Sequence, residues 1–273
     1  MAFCTADPDT VPGVADTASL FVADGETFVP TDFARGPWSP DSLHGGPPAA
    51  LLARAFEAHE ADEPMLVARL TVEIVRPVPV SPLTVSVRTV RPGKRVQLLE
   101  AVLSDDEREL CRATAWRIRE SPLELTDDIE HIEAPPLPDE VARMTTAWPW
   151  FAFHEEGVEM RYVSGAFEKP GPCTVWIRLR VPVVAGEDPS GVQRLAAAAD
   201  FGNGVSHVLP MDRYLFINPD LTVYAYRQPV GEWMCLESRT HHGPAGVGLA
   251  ESALYDAQGH VGRSAQSLLL DHR

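Results

Sequence analysis

Several features that would assign the chain to a familiar class are missing from its sequence. The four cysteines, Cys4, Cys111, Cys173 and Cys235, lie far apart and form no CxxC pair. This spacing argues against a disulfide framework or a zinc site and indicates free thiols in a reducing cytoplasm. No run approaches 18 apolar residues, and no basic-then-apolar segment opens the chain. We therefore expect neither secretion nor a membrane span, and predict a cytoplasmic protein with no membrane partner.

Positive charge is also scarce. The chain has 23 Lys and Arg against 39 Asp and Glu, a formal net charge of −16, which disfavours nucleic acid as a partner. A polyanionic ligand would have to meet a local basic cluster. The densest one contains Arg91, Lys94 and Arg95 around the turn Pro92-Gly93. It is either an ordinary hairpin tip or a site for the phosphates of a ligand.

The signatures of several enzyme classes are missing as well. The sequence contains no GxSxG elbow, no HExxH pair, no Walker loop and no GxGxxG loop. Serine hydrolase, metalloprotease and nucleotide-binding functions therefore lack support, and we expect no metal and no organic cofactor. What is present is typical of a globular protein: 273 residues with 45% apolar and 23% charged side chains, longer than one average domain.

The pattern of the chain predicts helices and strands in two similar series. Residues 1–18 are expected to be a loose arm, and 121–147, rich in Pro, Asp and Glu, a linker. A short hairpin turns at Asp24-Gly25, and Pro47-Pro48 suits the first turn of a helix from Ala49 to Glu60. Strand-like runs occupy 66–76, 83–90, 95–104, 110–119, 157–166, 173–183, 221–227, 233–240, 246–256 and 260–270.

The two series repeat at an offset of 151 residues. Leu70-Thr71-Val72 falls on Leu221-Thr222-Val223, and one ungapped register continues as far as Arg112 and Arg263. We infer a tandem duplication of one unit, with copies at 19–120 and 148–273. One helix cannot cover its own sheet, so the predicted fold is α+β, with both sheets joined and curled around two central helices.

The copies differ at a few polar positions. Asp200, Asn218 and Gln266 correspond to apolar residues in the first copy, namely Ala49 or Ala53, Val67 and Ala115. Conversely, His44-Gly45-Gly46 opens the first helix and has no counterpart near Ser190. If the start of the first helix faces the body of the second, both sets of residues meet in one cleft. We expect one working site per chain.

The second helix is predicted over Val192–Gly202, with Gly202 placed to end it. Its four consecutive alanines indicate that something approaches closely, and a curved sheet around the helix would do so. Asp200 lies near the C-terminal end of this helix, where the dipole disfavours a carboxylate. It is either a solvated helix-end residue or a functional carboxylate held in a cleft.

These features together resemble the type II acyl-CoA thioesterases, which are double hot-dog proteins. The resemblance covers roughly 19–270 and rests on the duplication, Gly45-Gly46, Asp200-Phe201 and Gln266. In that family an Asp, a Thr and a Gln hold the water that attacks the thioester. Asp200 and Gln266 match two of these residues, Asn218 replaces the Thr, and Pro47 replaces the Gln that follows Gly-Gly.

The resemblance implies hydrolysis of acyl-CoA to acid and CoA in fatty acid metabolism, without a cofactor, by a possible homo-oligomer. Asp200 would act as the base, and the amides of Gln266 and Asn218 would fix the water. The amide of Gly45 or Gly46 at a helix start would stabilise the oxyanion. The predicted substrate-binding residues are His44, beside the carbonyl, and Arg91, Lys94 and Arg95, on the CoA phosphates.

Alternatives remain for individual residues and for the function. Gln266 could be a rim residue of its strand, Asn218 a turn residue before Pro219, and His44 a packing residue at the helix entry. The chain could also be a non-catalytic protein that binds acyl thioesters or lipids. A third possibility is a hot-dog enoyl-CoA hydratase that uses Asp200 and His207.

Overall fold

The structure, a computed structural model, describes residues 18–106, 108–124, 131–139 and 149–273. The predicted arm, except for residue 18, lies outside the described residues, and so does Cys4. The same holds for 125–130 and 140–147 of the predicted linker.

The elements of the first half follow the predicted order. Their bounds are β1 Phe21–Asp24, β2 Thr27–Pro30, α1 Gly46–Ala58, β3 Met65–Ile74, β4 Leu83–Arg91, β5 Val96–Ser104 and β6 Glu109–Arg119. A short 3-10 turn, Asp32–Ala34, precedes α1. Helix α1 starts at Gly46 and so includes both prolines in its first turn, where a missing N–H is harmless.

The second half adds elements that the sequence pattern did not predict. It begins with a π-turn, Phe153–Gly157, and continues with β7 Val158–Ala166, β8 Lys169–Leu179, α2 Gly191–Ala199, α3 Gly202–Val205, β9 Tyr214–Ile217, β10 Asp220–Ala225, β11 Trp233–His242, β12 Val247–Asp256 and β13 Gly259–His272. The π-turn and the short elements α3 and β9 are the unexpected ones. Elements α3 and β9 lie between the second helix and Asn218, where they shape the site.

The described strands form one antiparallel sheet. Its order is β1-β2-β4-β5-β6-β3-β10-β13-β12-β11-β8-β7, with β9 paired to β13. Counted outward from the centre, the first half runs β3-β6-β5-β4-β2 and the second runs β10-β13-β12-β11-β8. The two halves therefore have the same strand order and meet at the β3–β10 pair.

The register at this junction matches the sequence repeat. Thr71 lies opposite Thr222 in the β3–β10 pair, and their Oγ1 atoms are 3.2 Å apart. The flanking pairs join Leu70 to Val223 and Val72 to Leu221. Thr71 thus faces its own counterpart, 151 positions away, and each flanking residue faces the counterpart of the other. This exchange puts an approximate two-fold axis between the two threonines.

Helix α1 is what approaches the alanine run of α2, where the sequence suggested a curved sheet. Ala196, Ala197, Ala198 and Ala199 are all buried. A Cβ on Gly46 at the start of α1 would lie only 2.6 Å from the Ala197 carbonyl oxygen. Small side chains on both helices are therefore required by a contact between helices from different halves of the chain.

Gly202 does not end the second helix in the way expected. Helix α2 stops at Ala199, and Gly202 begins α3 without adopting a positive φ. A Cβ at this position would lie 2.9 Å from Gln266 Oε1 and 3.0 Å from Ser252 Oγ. Glycine is needed here because the chain packs against β12 and β13, not because it turns left-handed.

The C-terminal end of α1 is closed by Arg117 from β6. Its guanidinium donates to the carbonyl oxygens of Phe56, His59 and Glu60 at 3.0, 2.7 and 3.0 Å. It also donates to Gln97 Oε1 at 2.6 Å, and Arg117 is only 2% exposed. A cation at the negative end of a helix dipole satisfies carbonyls that the helix cannot pair itself.

We predict that Arg117→Met lowers the free energy of unfolding by about 3 kcal/mol, because buried carbonyl acceptors lose a charged donor. Urea denaturation followed by circular dichroism measures this. Arg88→Met is the matched control, since that side chain is 64% exposed and pairs with Glu100; we expect a loss below about 1 kcal/mol. Equal losses in the two variants would contradict a special role for Arg117.

Candidate active site

Asp200 is the residue around which the site is arranged. It follows the last residue of α2 and is 5% exposed. Its Oδ1 accepts from Asn218 Nδ2 at 3.0 Å and from Gln266 Nε2 at 3.2 Å. The structure thus brings together the three polar residues that distinguish the second copy. Two amide donors offset part of the cost of burying a carboxylate at a helix C-terminus.

Both ends of the Gln266 side chain are occupied by protein groups. The residue is 1% exposed and lies on β13. Besides its bond to the carboxylate, Nε2 lies 3.4 Å from the Asp200 carbonyl oxygen. Its Oε1 accepts from the Asn203 backbone N–H at 3.1 Å. In this geometry Gln266 orients Asp200 and holds the junction between α2 and α3.

Asn203 is a member of the site that sequence reasoning missed. Its Nδ2 donates to the Phe216 carbonyl oxygen and to Asn218 Oδ1, both at 3.4 Å. The residue is 8% exposed. Asn203 lies between two glycines, a pattern typical of a turn, so this pattern offered no reason to place it in the site. The available signal was its position three residues after Asp200, about one helical turn further on.

The first half contributes His44 to the same carboxylate. His44 Nδ1 lies 2.9 Å from Asp200 Oδ2 and also 3.0 Å from the Gly46 backbone nitrogen. A ring nitrogen carries either a proton or a lone pair. It can donate to Asp200 or accept from the Gly46 N–H, but not both at once. The ring packs between Phe201 and Phe153, with centroids 4.7 and 5.2 Å away.

Gly45 touches the carboxylate directly. A Cβ at this position would lie 2.7 Å from Asp200 Oδ2 and 2.9 Å from Oδ1. Any larger residue would therefore push the carboxylate out of its bonds. The start of α1 and the end of α2 form one constellation, with His44, Gly45 and Gly46 on one side and Asp200 on the other.

A cavity of 670 Å³ opens beside this constellation, within the range of small-molecule sites. His44, Gly45, Asp200 and Asn218 line it. Gln266 and Gly46 are not among the lining residues. The rest of the lining is mainly apolar and aromatic. The carboxylate is therefore accessible to a ligand from a largely apolar pocket.

The predicted basic cluster is not on this cavity. Arg91 donates to the Val96 carbonyl oxygen at 3.0 Å, and its guanidinium carbon lies 6.0 Å from the centre of the Trp116 ring. Lys94 and Arg95 follow at the same turn. Strand β4 runs from Leu83 to Arg91, about 27 Å, and none of its residues is among those that line the cavity. The cations that line the cavity are instead Arg76 and Arg273.

The histidine next to Asp200 is His44 rather than His207. His207 Nδ1 lies 3.0 Å from the Gly204 carbonyl oxygen, and its ring stacks on Phe216 at 5.9 Å and 7°. Burial lowers the pKa of His207 below its usual range. The Asp200–His207 pairing that a hydratase would use is therefore not among the contacts of either side chain.

Cysteine chemistry and metal chemistry find no support in the described residues. Cys111 lines the cavity, but burial and the nearby Asp200 carboxylate raise the pKa of its thiol to about 12. It stays protonated at neutral pH and is a poor nucleophile. The described residues contain no group of three or more His, Cys, Asp or Glu that could hold a metal ion.

Comparison with solved structures defines the fold class. A protein from Alicyclobacillus acidocaldarius with the hot-dog fold aligns with a TM-score of 0.68 at 19% identity, over 94% of this chain and 97% of that one. A candidate thioesterase II from Thermobifida fusca YX gives 0.71 at 17%, over 93% and 96%. An acyl-CoA thioesterase II from Mycobacterium marinum gives 0.64 at 15%, over 92% and 94%. The chain has the hot-dog fold.

Sequence models then identify the family. The acyl-CoA thioesterase N-terminal domain matches residues 34–118, and the acyl-CoA thioesterase C-terminal domain matches residues 132–270. The chain belongs to the acyl-CoA thioesterase family, and the resemblance inferred from its sequence is confirmed. No curated protein matches the sequence. Among the described residues, no helix is long and apolar enough to cross a membrane.

Burial of His154 predicts a loss of stability in acid. Burial, with a smaller contribution from His44, lowers the pKa of His154 from 6.5 to about 3. Between these values the unfolded chain binds a proton that the folded protein excludes. Stability is therefore complete above about pH 6.5 and declines as the pH falls. Between pH 7 and pH 5 we expect a loss of about 2 kcal/mol from this residue.

Urea denaturation at several pH values measures this loss, with His154→Phe as the control that cannot titrate. The wild-type free energy of unfolding should fall more steeply with acid than that of the variant. Parallel pH profiles would contradict the prediction, whatever the stability of the variant at pH 7.

Proposed function

We propose that the protein hydrolyses acyl-CoA thioesters to the free acid and CoA, with Asp200 as the base. The observation that carries the proposal is the position of the Asp200 carboxylate. It is buried and held by Asn218 and Gln266, it meets His44 and Gly45, and it still lines a cavity. Membership of the acyl-CoA thioesterase family supports the reaction type.

The roles of the three polar residues follow from their contacts. Gln266 keeps the carboxylate in place from behind the cavity wall. Asn218 lies on the cavity, and its Oδ1 has a second lone pair that can accept a hydrogen from water. We therefore assign Asn218 and Asp200 to hold the attacking water, and Gln266 to orient Asp200.

The reaction then needs one proton transfer in each direction. Water attacks the thioester carbonyl carbon, a C–O bond forms, and one water proton passes to Asp200 Oδ2. The tetrahedral intermediate collapses as the C–S bond breaks, and the departing thiolate takes up the proton from Asp200. General base catalysis by such a group contributes typically 10²- to 10⁴-fold.

The start of α1 supplies the oxyanion donor in this mechanism. Gly45 lines the cavity, and its amide sits where the helix dipole favours negative charge. The Gly46 amide donates to His44 Nδ1 and is not among the lining groups, so we assign the oxyanion to the Gly45 amide.

Two cations at the cavity are suited to the phosphates of CoA. Arg76 donates to the Glu109 carbonyl oxygen at 2.8 Å and is exposed. Arg273 lies 5.4 Å from the ring centre of Trp38. We assign the phosphates to these two residues, because Arg91, Lys94 and Arg95 lie away from the cavity.

The proposed architecture is a double hot-dog of two units, 19–120 and 148–273, in which the sheet curls around α1 and α2. The shared strand order and the helix contact at Gly46 support it. Cytoplasmic location, a role in fatty acid metabolism and a homo-oligomeric state stay predictions.

We predict that Asp200→Asn lowers kcat/KM for acyl-CoA at least about a hundredfold, because the amide cannot take a proton from water. Release of free thiol from short, medium and long acyl-CoAs measures this. Glu57→Gln is the matched control. Glu57 is a carboxylate of α1 that accepts from Ser190 and Gln193 where the other helix begins, and we expect its rate within about twofold of wild type.

The same assay separates the alternatives. Thiol release undiminished in Asp200→Asn would contradict the mechanism. Absence of release by the wild type, together with measurable acyl-CoA binding, would instead identify a non-catalytic binding protein.

Two nearly isosteric replacements, by Thr and by Val, test whether Asn218 helps to hold the attacking water. Asn218→Thr keeps a hydroxyl that can donate to Asp200, and we expect kcat/KM within about tenfold of wild type. Asn218→Val removes every polar group, and we expect a loss of about a hundredfold. Equal rates in the two variants, at matched unfolding midpoints, would show that no polar group is needed at this position.

A further inference from the structure

An aromatic wall, a series of five rings in contact, contributes four of its rings to the lining of the cavity. Trp38 packs edge-on against Phe216 at 5.6 Å, and Phe216 stacks on His207 at 5.9 Å. His207 meets Phe167 at 6.3 Å, and Phe167 stacks on His154 at 6.2 Å. Trp38, Phe216, Phe167 and His154 line the cavity. The mechanism proposed above uses none of these rings.

The rings of this aromatic wall differ in exposure. Trp38 is 42% exposed, Phe167 is half-buried, and Phe216 and His154 are 5% and 4% exposed. Burial lowers the pKa values of His154 and His207, so both rings are neutral near pH 7. The four rings that line the cavity are therefore uncharged and planar, and His207, which links Phe216 to Phe167, is not among the lining residues.

The rings are tied to the catalytic groups. The Phe216 carbonyl oxygen accepts from Asn203, which in turn contacts Asn218. His207 is held by the Gly204 carbonyl oxygen. On the side of His44, Phe201 also lines the cavity. A substrate whose carbonyl meets Asp200 would thus have fixed aromatic surfaces next to its acyl group.

Such a wall discriminates between acyl groups by shape rather than by size. A flexible alkyl chain gains from burial against any apolar lining, and aliphatic residues would serve it equally well. A planar ring gains in addition from offset-stacked or edge-to-face contacts with centroids 4.5 to 7 Å apart, worth up to roughly tenfold in affinity per pair.

We propose that the acyl group this cavity accepts is aromatic, with its ring packed against Phe216 and Phe167. The inference rests on the proposed function in one respect, that an acyl thioester occupies this cavity. It adds the chemical class of the acyl group.

Two non-hydrolysable ligands of equal carbon skeleton test the inference without turnover. The S-(2-phenylethyl) and S-(2-cyclohexylethyl) thioethers of CoA differ only in whether the ring is planar and aromatic. Isothermal titration calorimetry on the full chain should give about tenfold tighter binding of the phenyl ligand. Because the saturated ring is at least as apolar, burial alone cannot produce this order.

Variants locate the preference. In Phe216→Leu and in Phe167→Leu, the ratio of the two affinities should fall toward one. Two positions are used so that, if one variant fails to fold, the other still tests the inference. Phe151→Leu is the matched control, because Phe151 packs edge-on against Phe33 at 4.8 Å and is not among the cavity-lining residues. It should keep the wild-type ratio.

Equal binding of the two thioethers by the wild type, or tighter binding of the cyclohexyl ligand, would overturn the inference even if the protein hydrolyses acyl-CoA. A preference for the phenyl ligand that persists in both cavity variants would also overturn it. A preference for the phenyl ligand without thiol release from phenylacetyl-CoA or octanoyl-CoA would support the aromatic site and contradict hydrolysis.

Discussion

The burial of one carboxylate at the wrong end of a helix is the constraint on which the rest of the site depends. Asp200 is 5% exposed at the C-terminus of α2, where the helix dipole opposes its charge. An unpaired carboxylate there would cost several kcal/mol. Asn218 and Gln266 supply donors to Oδ1, His44 faces Oδ2, and Gly45 leaves room for both oxygens.

The two halves of the chain treat equivalent helix ends in opposite ways. At the end of α1, the guanidinium of Arg117 donates hydrogen bonds to the carbonyl oxygens and caps the helix. At the end of α2, Gln266 holds a carboxylate that opens on a cavity. Glu57, in the last turn of α1, likewise reaches the start of the other helix, where it accepts from Ser190 and Gln193. Of these two carboxylates, Asp200 is the one that lines the cavity.

Much of this was predictable from the sequence, but some of it was not. The ungapped repeat predicted which residues differ between the copies, and those residues meet around Asp200. Asn203 was missed because its role lies in a bond to Asn218, fifteen positions away. Gly202 was assigned to a helix end because sequence patterns of helix termini contain no information on its close approach to Gln266, 64 residues away. Arg91 was chosen for its charged neighbours, whereas distance along β4 separates it from the cavity.

The sequence by itself determined the family, the internal repeat and most of the residues that meet around Asp200. Composition, spacing and an internal repeat are properties of the chain, so they survive without coordinates. Only the tertiary structure decided that His44 reaches Asp200 and that rings from Trp38 to His154 form one wall. The His44–Asp200 and Trp38–Phe216 contacts join segments more than 100 residues apart, and they are set by how two helices and a shared sheet pack.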